Sequence, residues 1–250
     1  MRTMDARARP ATHHAEAFAS THWSVIIEAG AEGTPEADLA LERLCQTYWY
    51  PLYAYVRRQG QSPHDAQDLT QAFFARFLQR KYFSHADQSR GKFRSFLLAS
   101  MHHFLVNEWT KERAAKRGGF ERVISLDERQ AEERYEAESL DNGTPDRLFE
   151  KRWAAGLLER VLARLREENA NGDRALVFEA LKDFLWGEKN GSTYQELGLE
   201  LAMSEGAVKV AVYRLRQRYR DLLREEVAQT VASPEEVDEE LRYLISVIRG

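Results

Sequence analysis

Apolar residues recur along this 250-residue chain at intervals of three and four, and hardly ever at two. That period predicts helices over about 36–58, 63–80, 91–114, 147–167, 173–186, 193–201, 205–227 and 234–248. A short helix near Thr21 is built on Trp23, Ile26 and Ile27. No strand run bounded by turns is visible, so the pattern predicts an all-α fold. Leu41, Leu44, Cys45, Tyr48 and Leu52 share one helical face. Ala66, Leu69, Phe73 and Phe77 form another stripe, with Asp68, Gln71 and Gln79 off it, on a face either solvated or used for docking. Phe93, Phe96, Leu97, Met101, Phe104 and Leu105 are spaced for burial. Near the end, Val237, Leu241, Leu244, Ile245 and Ile248 make one stripe, preceded by Ser233, Pro234 and Glu236 as a capping box around a first-turn proline. A helix this amphipathic must cover something: either it packs on the rest of the chain, or its acid masks a basic surface or recruits a regulator.

The helical period breaks over 118–146. This stretch opens on Gly118-Gly119, holds Asn142-Gly143 before Pro145, and reads as a mostly extended linker with one helical turn near 127–137. The chain therefore divides into an arm (1–19), a domain (20–118), an acidic linker (119–146), a second domain (147–228) and a terminal helix (229–250). Arg2, Arg7 and Arg9 precede no hydrophobic run, so the arm is expected to be disordered and not a secretory signal, and the protein cytoplasmic. No stretch approaches a membrane span. Cys45, the only cysteine, allows neither an internal disulfide nor a cysteine-built metal site and reads as a small buried hydrophobe.

Charge sharpens the division. The net charge of −4 argues alone against a nucleic-acid partner, but it averages segregated blocks. Residues 90–122 carry eight cations against three anions, 123–150 carry three against nine, and 225–250 carry two against seven. Two basic surfaces facing phosphate, separated by acid, fit this pattern. The second basic block, 205–224, nets +4 and follows two capping signals. Ser192 or Thr193, with Gln195 or Glu196 three residues on, starts a short helix carrying Tyr194, Leu197 and Leu201. Ser204 then starts a basic helix whose inner face is Val208, Val212 and Leu215. Gly198 leaves room for the second helix to cross closely. This is a helix-turn-helix pattern, whose second helix enters the major groove; an ordinary helical hairpin with a charged face gives the same spacing.

In the first basic block, His103, Asn107 and Trp109 sit among and ahead of Lys111, Arg113, Lys116 and Arg117. Stacking and hydrogen-bonding residues beside cations suit single-stranded nucleic acid; a core helix ending in a basic turn has the same composition. His102 and His103 are adjacent and cannot share a metal. No residue set supports an enzyme active site, a cofactor or a metal.

Together, LCQTYWYPLYAYVRRQGQSPHDAQDLTQAFFARFL, GKFRSFLLASMHHFLVNEWTKERAAKRGG and YQELGLELAMSEGAVKVAVYRLRQRYRDLL resemble a bacterial RNA polymerase sigma factor, closest to the extracytoplasmic-function group of the sigma-70 family. The resemblance covers about residues 20–228. It implies that Asp65, Asp68, Gln71 and Phe74 dock on core RNA polymerase. It implies that His103, Asn107, Lys111, Arg113, Lys116 and Arg117 open and read the −10 element. It implies that Ser204, Lys209, Val210, Tyr213, Arg214, Arg216 and Arg218 engage the −35 element of promoter DNA. It makes an anti-sigma factor or a serine/threonine kinase a candidate partner, with Thr70 as the phosphosite if its side chain is accessible; the alternative reading is a threonine chosen for local packing. Ala202 stands where many relatives have glycine, and Ala207 and Ala211 where polar or basic residues are common. A helix-turn-helix repressor or activator and a polymerase-binding adaptor remain the alternatives.

Overall fold

A computed structural model of the chain describes Trp23, Ile26 and residues 34–114, 128–138, 143–186 and 193–249. The helices are α1 (Pro35–Arg58), α2 (Pro63–Gln79), α3 (Phe93–Ala114), α4 (Glu128–Glu138), α5 (Pro145–Glu168), α6 (Asp173–Leu181), α7 (Tyr194–Glu200), α8 (Glu205–Ala228) and α9 (Val237–Arg249). Single 3-10 turns lie at Tyr82–His85, Gln88–Arg90, Lys182–Trp186 and Pro234–Glu236. No strand occurs among the described residues. The expected arm, 1–19, lies outside them.

Three helices start by one device, a hydroxyl cap followed by proline. Thr34 accepts from the Ala37 N–H at 3.1 Å, Ser62 from Asp65 at 3.2 Å and Thr144 from Arg147 at 3.3 Å. Each cap satisfies an otherwise orphan donor and contributes about 1 kcal/mol. The proline that follows needs no donor at that position.

The main core is continuous across both halves of the chain. It runs from Leu44, Tyr48 and Leu52 on α1, through Phe149, Trp153 and Leu157 on α5, to Tyr219, Leu222 and Val227 on α8 and Leu244 on α9. Tyr48 stacks on Phe149 with centroids 6.4 Å apart and meets Phe93 edge-on at 5.7 Å. The Trp23 N–H donates to the Gln229 carbonyl at 3.2 Å, tying the start of the described chain to the end of α8. A second, smaller cluster joins Leu181, Phe184, Leu197, Val208 and Val212. Cys45 is buried, and desolvation, helped by Glu42, pushes its thiol up to about 12, as befits a packing residue with no thiolate chemistry.

Two elements differ from the sequence pattern. Where one helical turn was expected in the acidic stretch, α4 runs for 11 residues. Its reason is tertiary: Glu132 accepts from Arg57 Nη2 at 2.8 Å and Nε at 3.1 Å and from the Tyr53 hydroxyl, while Arg57 lies 4.8 Å over the Tyr135 ring. The tail helix also starts differently. Ser233 makes no side-chain cap, Pro234–Glu236 form a 3-10 turn, and the Glu236 carboxylate accepts from the Ala232 N–H at 3.4 Å. The face that α9 buries is Val237, Glu240, Leu244 and Val247, with Ile245 left 46% exposed, so the stripe is rotated from the one the apolar residues suggest. The rotation brings the Glu240 carboxylate under Arg94, 2.6 Å away, and beside Lys92.

Candidate nucleic-acid interface

The pair α7 and α8 is built by local rules. Thr193 and Glu196 form a full capping box: the Thr193 hydroxyl accepts from the Glu196 N–H at 3.2 Å, and the Glu196 carboxylate accepts from the Thr193 N–H at 2.8 Å. The connection is tight. The Met203 N–H donates to the Gly198 carbonyl at 2.8 Å, and a Cβ at 198 would stand 2.7 Å from the Met203 carbonyl oxygen. Only glycine fits there. Ala202 takes φ +52, left-handed backbone in which glycine would carry no strain. Ser204 then caps α8, accepting from the Ala207 N–H at 3.2 Å. Val208 and Val212 face inward as expected, with Leu215 half-buried.

The outward face of α8 carries Lys209, Val210, Tyr213 and Arg214. Val210 is 48% and Tyr213 62% exposed, unusual for side chains of their kind, and Arg214 is exposed. Lys209 pairs with Glu205 at 2.7 Å, one turn away. Two further residues expected to engage DNA, Arg216 and Arg218, also have partners within the chain. Arg216 donates twice, at 2.9 and 2.7 Å, to the Phe184 carbonyl, so it terminates the 3-10 turn after α6. Arg218 donates in a fork to Glu168 at 2.7 and 2.6 Å, a bidentate bond that raises its pKa.

On α3, Phe93, Leu97, Met101, Phe104 and Leu105 form the buried face, with Phe96 half-buried. His103 and Asn107, four residues apart and so on one side of the helix, are both exposed. They line a cavity of about 300 Å³ whose walls include Phe73, Phe77, Phe96 and Tyr82. Arg76, which lines it too, is fixed by Glu108 at 3.3 Å. The volume sits at the low end of small-molecule sites. Sequence reading named His103 and Asn107 but missed Arg76 and Tyr82, which come from α2 and the turn after it. Lys111 and Arg113 belong to the last turns of α3, though their side chains, like Lys116 and Arg117 altogether, lie outside the described residues.

The expected docking set on α2 divides. Asp65 and Asp68 are exposed. Gln71 is buried and Phe74 completely so, because α2 is packed by both α1 and α3; these two belong to the core and not to a surface. Of the two readings of Thr70, the structure has the packing one. It is fully buried, and its hydroxyl donates to the Ala66 carbonyl at 2.7 Å one turn back, so it is not the accessible side chain a kinase requires.

Residues 44–115, from the middle of α1 through α3, match the family model of sigma-70 region 2. This segment is therefore similar to that of sigma factors, which bind RNA polymerase and recognise promoters. No curated protein and no solved structure matches the chain. No described helix is long and apolar enough to cross a membrane.

Proposed function

We propose that the protein is a sigma factor of the extracytoplasmic-function kind, which binds core RNA polymerase in the cytoplasm and directs promoter recognition, melting and initiation. The carrying observation is His103 and Asn107 at an aromatic cavity inside the segment similar to sigma-70 region 2. Taking a base out of the stack costs a few kcal/mol, and stacking on aromatic side chains returns about 1–3 kcal/mol per base. His103 and Asn107 supply hydrogen bonds to a base edge, and the basic end of α3 tracks the backbone. Asp65 and Asp68 offer acid to the polymerase. The α7–α8 pair serves as a helix-turn-helix reading the −35 element through Lys209, Val210, Tyr213 and Arg214.

Reconstitution with core polymerase tests the reading. A sigma factor yields specific initiation from duplex promoter DNA; a repressor binds its site without polymerase, and an adaptor binds polymerase without promoter selectivity. The combined His103→Ala/Asn107→Ala variant is expected to bind duplex promoter yet leave the −10 region poorly reactive to permanganate. Undiminished reactivity in that variant would falsify the base-capture role.

A further inference from the structure

Between α1 and α5 lies a second cavity, of about 550 Å³, distant in sequence from the residues assigned to DNA. Its α5 wall is Arg152, Gly156, Arg160 and Ala163, a repeat at helical spacing in which two small residues leave the space and two arginines edge it. Arg43 on α1 and Arg134 on α4 also line it. Among the described residues the one acidic side chain there, Glu159, is held by Arg134 at 3.1 Å. Arg160 is the unusual member. Its Nε and Nη2 are buried without a hydrogen-bond partner among the described residues, which leaves Nη1 as the nitrogen that can meet a ligand in the cavity. Burial lowers its pKa, against weak support from Tyr48, Glu226 and Glu159. Its Nη1 lies near Gly156, where a Cβ would come to 3.4 Å. A guanidinium held this way, with no carboxylate of the described residues in ion-pair range, is stabilised by an oxyanion that enters the cavity beside Nη1.

We propose that this cavity is a binding site for a small phosphorylated anion bearing a diphosphate, held by Arg160 and Arg43 and bridging the two halves of the chain. Guanidinium forks match phosphate oxygens in pairs, and the volume lies within the range of small-molecule sites. The polar Gln46 and Thr47 on α1 line the same space and can bond a phosphate or the rest of the ligand.

Titration calorimetry on the full chain at 0.15 M salt, with inorganic phosphate, pyrophosphate, ATP and adenosine as probes, tests the proposal. Pyrophosphate and ATP are expected to bind at micromolar concentration, phosphate at least tenfold more weakly, and adenosine not at all. ATP binding much more tightly than pyrophosphate assigns the diphosphate to a nucleotide; equal binding assigns it to the inorganic ion. Arg160→Met should weaken binding at least tenfold. Arg43→Gln, half-buried and at the edge, should do so several-fold without endangering the fold. Arg174→Gln, exposed on α6 away from this cavity, should change nothing. The proposal is overturned if no probe binds below millimolar concentration. Arg43→Gln and folded Arg160→Met binding like wild type also overturn it, as does Arg174→Gln weakening binding equally, which would mean diffuse charge attraction.

Discussion

Removing the Glu240 carboxylate should destabilise the protein by about 3 kcal/mol. Glu240 belongs to the terminal helix, yet its side chain is only 1% exposed, and its partner Arg94, at the start of α3, only 2%. Arg94 also donates to Glu150 on α5 at 2.7 Å and lies 4.3 Å over the Trp153 ring. Burial works against the Arg94 charge, but Glu150 and Glu240 outweigh it and raise its pKa. Breaking a buried pair by removing one partner costs about 3–5 kcal/mol. The lower figure applies because Glu150 still balances Arg94 and because the Glu240 oxygens accept no well-aligned hydrogen bond, leaving a charge contact only. Urea unfolding of Glu240→Ala and Glu240→Gln should move the midpoint down at unchanged m, while Glu239→Ala, exposed one residue away, should stay within about 0.5 kcal/mol of wild type. In Arg94→Met, the further loss on removing Glu240 should be much smaller, since the shared contact is already gone. If Glu240→Ala is as stable as wild type, the tail does not hold Arg94 in solution, and the argument fails.

Arg214→Ala should weaken promoter binding by about 1–3 kcal/mol with little change in stability. Arg216→Ala should instead lower stability by about 1–3 kcal/mol, because the Phe184 carbonyl loses its donor; gel-shift titration beside thermal melting separates the two. Gly198→Ala should cost about 1–3 kcal/mol through the Met203 clash. Ala202→Gly should gain about 0.5–1 kcal/mol, relief of left-handed strain less the entropy of the freer unfolded chain; both are read from denaturant midpoints. Glu132 is desolvated, but hydrogen bonds from Arg57 and Tyr53 outweigh that and hold its pKa below the ordinary 4.5. A depressed folded pKa contributes stability that is present above that ordinary value and lost as pH falls through the folded one. The stability difference between wild type and Glu132→Gln should therefore shrink below about pH 4.5; a difference independent of pH would refute the pairing.

What the sequence revealed follows the range of the forces involved. Caps and stripes are local, so Ser204, a capping box within 192–196, and the α3 face could be read from spacing, though the choice of Thr193 with Glu196 over Ser192 with Gln195 could not. Long-range pairing could not. Phe74 fell off the stripe through Phe73 and Phe77 because the stripe assumes one buried face, whereas α2 is covered on two sides. Arg216, Arg218 and Glu240 looked like surface charges because their partners, Phe184, Glu168 and Arg94, lie tens of residues or more away. The cavity beside His103 depends on Tyr82 and Arg76 arriving from elsewhere, and no period along α3 foretells them.

A seam in which Tyr48 lies on Phe149, and Trp153 under Arg94, cannot open by degrees. Elements named for positions −10 and −35 are about 25 base pairs apart, or about 85 Å along B-DNA at about 3.4 Å per pair. A compact body of the 195 described residues has a radius of gyration of about 16 Å. A chain that touches both elements must therefore part α1 from α5, and only the parted fraction of molecules is competent to bind. Apparent promoter affinity then equals the intrinsic affinity multiplied by that fraction. If the proposed contact with both elements holds, substitutions that loosen the seam, far from any nucleotide, should raise apparent promoter affinity while making the fold less stable.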